Sequence, residues 1–147
     1  MENNSKKFRE QIRILERRLG LLNKSNNGSF SCCKVTLPQC HALVEIGRSQ
    51  KISLKELAVI LSLDTSTTSR TVDSLVKKNY VERQESSLDR RSIDIVLTAT
   101  GQKLFQDIEH KMDFDFAEIF NRIPIDEQEN VLHAMNCILD AFTHPKL

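Results

Sequence analysis

The chain has 147 residues, of which 39% are apolar and 28% charged, with four cysteines. That is one domain's length, or one domain with a helical dimerisation appendage, and the composition excludes the disordered class. No apolar run approaches the ~20 residues that cross a bilayer, and residues 1–9 lack the apolar core of a secretory signal. A cytoplasmic protein without a membrane partner is expected, its cysteines serving as thiols, a metal site or a redox switch and not as a disulfide framework. The net charge of +1 hides a polarity: nine basic and four acidic side chains in residues 1–50, eight and seven in 51–97, four and nine in 98–147. A basic front and an acidic tail fit a protein that turns one side to a polyanion, and fit an ordinary solvated surface nearly as well.

Phe8, Ile12, Leu15, Leu19 and Leu22 recur at helical spacing and predict an amphipathic helix from about Ser5 to Leu22, with Arg9, Arg13, Arg17 and Arg18 over much of its remaining surface. A polar loop with Gly28 follows. Thr36-Leu37-Pro38-Gln39 reads as a capping box opening a second helix that should end near Gly47–Gln50, with Leu37, Cys40, Leu43, Val44 and Gly47 on one face. Ser53-Leu54-Lys55-Glu56 is a second capping box, opening a short helix with Leu54, Leu57, Ala58 and Leu61 inside. Leu63 is expected to plug the turn after it.

Asp64 can cap the next helix, which occupies the stretch Asp64 to Asn79, and Asn79 is a plausible left-handed terminator. Thr68, Val72, Leu75, Val76 and Asn79 form its apolar stripe. Ser66, Thr67, Ser69, Arg70, Asp73 and Lys77 face elsewhere. A helix with a narrow apolar stripe and an outer face of short hydroxyls plus one arginine suits a major groove, because hydroxyls reach phosphates and base edges at low entropic cost and arginine binds guanine bidentately. Residues 80–85 and 92–97, with Ile93, Ile95 and Leu97 alternating, predict a two-stranded ribbon around a charged loop. Thr98 and Thr100 are candidate caps for a helix carrying Leu104, Phe105, Ile108, Met112, Phe116, Ile119, Phe120 and Ile123, stopped by Pro124. The acidic run Asp126-Glu127 starts a last helix whose stripe is Val131, Leu132, Met135, Ile138, Leu139 and Phe142.

This order of elements resembles the MarR family of winged-helix transcription regulators. The matching residues are Leu37-Pro38-Gln39, Leu57-Ala58, Leu61-Ser62-Leu63-Asp64, the run Thr67 to Leu75, Val81-Glu82-Arg83, Asp89-Arg90-Arg91, and Leu97-Thr98 with Gly101. The family usually has a glycine where this chain has Asn79-Tyr80. The resemblance implies a mainly α fold with a small β-hairpin wing, built as a winged helix-turn-helix part over residues 36–97 and an interlocking helical dimerisation part over 5–30 and 98–147. It implies a homodimer on double-stranded DNA, most simply a repressor. Ser53, Thr65, Ser66, Thr67, Ser69, Arg70, Asp73 and Lys77 would contact DNA, and Asp89, Arg90 and Arg91 would form the wing's contact. Arg90 would enter the minor groove, with Asp89 orienting it and pairing with Arg70 or a neighbour, or else forming a wing-stabilising ion pair with Arg91. Half-sites about one turn, ~34 Å, apart are implied. On the order of 6–10 neutralised phosphates would weaken binding ~10³–10⁵-fold between 50 and 200 mM salt.

Cys32, Cys33, Cys40 and His41 lie near the start of the second helix, which the resemblance implies is beside the groove where effectors bind. Three readings are open. The thiols form a switch for oxidants or electrophiles, activated by the helix N-terminus and Lys34. The thiolates of Cys32, Cys33 and Cys40 bind a soft metal ion or metalloid, although the spacing matches no standard zinc pattern. Or they pack, as Cys137 beside Ile138 is also expected to do, and the effector is a small aromatic or amphipathic molecule. No cofactor is required by any of these. An enzyme is not expected: Cys40 and His41 are neighbours on a helix, point about 100° apart and cannot form a catalytic pair. A winged helix used only for protein contact is the remaining alternative from another class.

Overall fold

The structure is a computed structural model that describes residues 3–23, 35–86, 88–89 and 91–142. None of the helices it describes is long and apolar enough to cross a membrane. The chain divides into two compact units, Leu22–Glu109 on the one hand and Met1–Leu21 with His110–Leu147 on the other.

In the Leu22–Glu109 unit, α2 (Leu37–Ser49) opens with the expected reciprocal box. The Thr36 hydroxyl accepts the Gln39 amide, and the Gln39 side chain accepts the Thr36 amide. Gln50 closes the helix at φ 68 and leads directly into β1 (Lys51–Ser53). The Ser53 hydroxyl then caps α3 (Leu54–Leu61) by accepting the Glu56 amide at 3.1 Å. Ser62 turns the chain at φ 55, half-buried Leu63 fills the turn, and Asp64 caps α4 (Thr65–Lys77). Asn79, at φ 63, takes the expected left-handed position, a conformation asparagine tolerates better than most residues.

Strands β2 (Val81–Glu85) and β3 (Ile93–Leu97) form the expected ribbon, and β1 adds a third strand that the sequence pattern did not suggest. The order is β1-β3-β2, antiparallel throughout, with Ile52 opposite Ile95 and Val81 opposite Leu97. Three residues are too few to show strand alternation, which is why β1 escapes a periodicity argument. It ties the start of α3 to the wing's central strand, and Ile52 and Ile95 carry the sheet's buried face. Leu43, Val44 and Ile46 of α2, Leu57 and Leu61 of α3, and Thr68, Val72 and Leu75 of α4 complete this core. Buried Thr68 satisfies its hydroxyl by donating to the Asp64 carbonyl at 2.8 Å. Val76, expected in the apolar stripe, is exposed.

Helix α5 (Ala99–Asn121) begins at Thr98, whose hydroxyl accepts the Gly101 amide at 3.0 Å. Two glycines mark close approaches inside this unit. A Cβ on Gly101 would lie 1.8 Å from the Tyr80 carbonyl oxygen, and one on Gly47 2.6 Å from the Phe105 ring.

The other unit contains α1 (Asn4–Arg18), the second half of α5 and α6 (Ile125–Ala141). Its core is Phe8, Phe120 and Leu132, with Ile12, Phe116, Ile123 and Val131 packed around it. The Phe8 ring meets Phe116 edge-on at 6.1 Å between centroids. Pro124 precedes α6 without a side-chain cap, and Gln128 stitches the corner by donating to the Phe120 and Ile123 carbonyls. Two expectations about α1 are corrected. The helix stops at Arg18, because Gly20 turns the chain at φ 74. Leu19 is consequently exposed, and Leu22 is buried in the Leu22–Glu109 unit. Arg9 and Arg13 do not cover the surface but are 2% and 5% exposed. Arg9 donates to Asp113 of α5 at 2.9 Å, and Arg13 lies 3.5 Å from the Glu10 carboxylate. Burial of arginine in an otherwise small core demands such partners.

The Tyr80 carbonyl has no room to yield to a new methyl group, whereas the Phe105 ring can turn. Gly101→Ala is therefore expected to cost more than Gly47→Ala, about 2–3 kcal/mol, with urea unfolding as the measurement.

Candidate nucleic-acid interface

The buried stripe of α4, Thr68, Val72 and Leu75, fixes which side of the helix is left outside. At 3.6 residues per turn, Ser66, Ser69, Arg70, Asp73 and Lys77 fall opposite that stripe. Ser66, Arg70, Asp73 and Lys77 are exposed and Ser69 is half-buried, while Thr65 and Thr67 lie on the margins of this face at its N-terminal end. The face carries two cations, Arg70 and Lys77, among hydroxyls, and one carboxylate, Asp73.

The N-terminal end is held by Asp64, whose Oδ1 accepts the Thr67 amide at 2.6 Å. This backbone hydrogen bond, with a smaller contribution from the Thr67 side chain and the charge of Arg70, holds the Asp64 carboxyl below the usual carboxylate range. The Arg70 guanidinium in turn donates to the Thr67 hydroxyl at 3.3 Å, which orients it along the outer face.

The wing is anchored to the same face. Arg83 of β2 donates to the Asp73 carboxylate at 2.5 Å, an exposed pair that joins the ribbon's first strand to α4. Neither residue was assigned this role from sequence, and only the appearance of Val81-Glu82-Arg83 as a recurring motif pointed to Arg83. At the ribbon's tip, Ser86 and Ser92 close the loop, with the Ser86 amide on the Ser92 carbonyl at 3.0 Å. The Asp89 carboxylate accepts the Arg91 amide at 2.9 Å. Asp89 thus braces the loop through the backbone of Arg91, where a pairing with Arg70 or an ion pair with Arg91 was expected. Arg91 is exposed beside it. Arg90 lies outside the described residues.

The remaining candidates separate. Ser53 sits at the N-terminus of α3 with its hydroxyl committed to the Glu56 amide. Cys32 and Cys33 lie outside the described residues. Cys40 is half-buried on α2, and His41, its neighbour, is 1% exposed. Cys137, expected in the core with Ile138, is instead exposed on α6, and Ile138 is 44% exposed. Among the described residues, no three His, Cys, Asp or Glu side chains are placed to hold a metal ion.

A recognition-type helix after a tight turn, braced by a three-stranded wing, defines a winged helix-turn-helix protein. Residues 35–93 match the model of the MarR family. Over 87 residues the chain is 31% identical to the HTH-type transcriptional regulator SarZ of Staphylococcus epidermidis, an alignment covering 59% of this chain and 56% of SarZ. It thus spans just over half of that relative's length. Among solved structures, a mutant MarR from E. coli superimposes with a TM-score of 0.65 at 25% identity, over 86% of this chain and 90% of that one. FabT of Streptococcus pneumoniae, solved in complex with DNA, shares the fold at 15% identity, with a TM-score of 0.70 over 92% of this chain and 95% of that one. Residues 35–93 thus form a winged helix-turn-helix domain of the MarR type.

Because the folded carboxyl of Asp64 titrates below its unfolded counterpart, its contribution is present above the ordinary carboxylate range and is lost as the pH falls through the lower folded value. Asparagine can accept the same Thr67 amide without titrating. Asp64→Asn should therefore remove this acid-side loss, read as a flatter pH dependence of the thermal midpoint by circular dichroism.

Proposed function

We propose that the chain is a sequence-specific DNA-binding transcription regulator, acting as a homodimeric repressor on a pseudo-palindromic operator and released by an effector. The observation that carries this reading is the outer face of α4: Ser66, Ser69, Arg70 and Lys77 presented together, with Arg83 locking the wing to Asp73 in their midst. Short hydroxyls and a guanidinium on a rigid helix read base edges and phosphates in a major groove, while Arg91 on the braced wing loop reaches the neighbouring backbone or minor groove. The DNA-bound FabT structure and the operator complex of the E. coli MarR mutant support this use of the fold.

The homodimer rests on the other unit. Phe114, Ile119, Ile125 and Ile138 are all exposed large hydrophobics of its two C-terminal helical segments, Phe114 at 65% and Ile125 at 87%. Apolar surface of this kind on one helical unit marks an association site, and two-fold pairing of identical recognition helices is what a pseudo-palindrome requires.

Arg70→Ala should weaken discrimination of a selected operator duplex by about 1–3 kcal/mol, measured by fluorescence anisotropy. Unchanged binding would favour a protein-contact module instead. Phe114→Glu with Ile125→Glu should turn a dimer into a monomer by light scattering and lower operator affinity. For release, Cys32, Cys33 and Cys40 are replaced together by serine. Loss of the response to oxidants and soft metals assigns sensing to the thiols, and its survival assigns release to a small aromatic or amphipathic ligand.

A further inference from the structure

The side-chain amide of Gln39 is shared among three partners within the Leu22–Glu109 unit. Its Oε1 accepts the Thr36 amide at 3.1 Å and the Lys78 ammonium at 2.9 Å. Its Nε2 donates to the Ser74 hydroxyl at 2.9 Å, and Ser74 passes its own proton on to the Thr71 carbonyl at 2.6 Å. Capping α2 requires only the first of these bonds. The other two leave α2 altogether and grip the C-terminal half of α4 on the flank beside Arg70, one turn beyond it. The amide is nearly sealed from solvent, with Gln39 9% exposed.

Apolar packing of Val72 and Leu75 holds α4 against the core, but burial is non-directional and tolerates small rotations of a helix about its own axis. Hydrogen bonds with fixed donor and acceptor directions do not. A rotation of α4 that carried Arg70 away from its setting would have to stretch the Gln39–Ser74 bond, and with it the Thr36 cap and the Lys78 contact.

We infer that Gln39 is a positioning residue that sets the rotation of the recognition helix and couples it to the N-terminus of α2. Displacing Thr36 from the α2 cap acts on the same amide that holds Ser74 and Lys78, so the state of the α2 entrance reaches the reading face through one side chain. This inference rests on the DNA-reading role proposed for α4.

The experiment first selects a duplex from a random pool with the unaltered protein, then compares variants on that duplex and on bulk random duplex. Failure of the unaltered protein to enrich any sequence would overturn the DNA-reading role itself. Given enrichment, Ser74→Ala and Gln39→Ala should each bind the selected duplex about tenfold more weakly, the scale of one or two lost hydrogen bonds. Affinity for random duplex and the salt slope should stay unchanged, since no phosphate contact is removed. The double variant should be no weaker than Gln39→Ala, in which the Gln39–Ser74 bond is already lost. Gln39→Glu keeps the acceptor for Thr36 and Lys78, but Ser74 can donate to it only by giving up Thr71, so it should recover only part of the loss. Ser74→Ala leaves the α2 cap intact, so it decides the matter even if Gln39→Ala unfolds. Wild-type discrimination in Ser74→Ala, or equal weakening on both duplexes, would overturn the inference.

Discussion

Thr98 joins the parts of the winged helix at one point. Its amide donates to the Tyr80 carbonyl at 3.0 Å, its hydroxyl donates to the Asn79 carbonyl at 2.6 Å, and the same hydroxyl accepts the Gly101 amide. The Tyr80 amide reaches back to the Leu75 carbonyl at 3.0 Å. The end of the recognition helix and the beginning of α5 are therefore fixed to each other, and the wing is the excursion of chain between two tied points. Asn79 must turn left-handed for its carbonyl to be there, and Gly101 must lack a Cβ for the helix to start so close to Tyr80. Three residues, Asn79, Thr98 and Gly101, thereby determine where the ribbon leaves the body and where Arg83 can meet Asp73.

Much of this was readable from residue types because local chemistry alone dictates it. The Thr36–Gln39 box, the Ser53 and Asp64 caps, the left-handed Asn79 and the Thr98 cap each depend on atoms within a few residues. What escaped depends on distant partners. β1 is a strand because β3 lies beside it. Arg9 and Arg13 lie inside because carboxylates sit next to them, and periodicity has no means of distinguishing a buried, paired arginine from a solvated one. The Asp73–Arg83 pair spans a turn and a strand, and neither residue type announces its partner.

The buried arginines also revise what the charge polarity means. Part of the basic character of the first fifty residues is spent inside the helical unit, where Asp113 of the acidic tail takes both Arg9 and, at 3.7 Å, Lys6. The basic front and acidic tail are in that measure complementary to each other and not to a polyanion. Among the described residues, Arg70, Lys77 and Arg91 are exposed cations on the outer face of α4 and the wing loop, in a stretch whose own balance is nearly neutral. A weakly charged reading surface relies less on long-range attraction and more on geometry once contact is made.

Geometry of that kind has to be held by something stiffer than packing. Helix α4 presents one side to the core and the opposite side outward, and its two remaining flanks differ. One carries Val76, exposed and free of directional bonds to other elements. The other carries Ser74, with Lys78 next in line beyond the helix end, both bound to Gln39. Besides the Asp73–Arg83 pair on the outward side, these are the directional bonds that set the helix's rotation, and loosening them would not require unpacking Val72 or Leu75. The grip passes through the first turn of α2, and Cys32 and Cys33 precede Thr36 in the chain by only four and three residues. Movement of that one hydrogen-bonded amide, and not of a domain, would suffice to change the setting of Arg70.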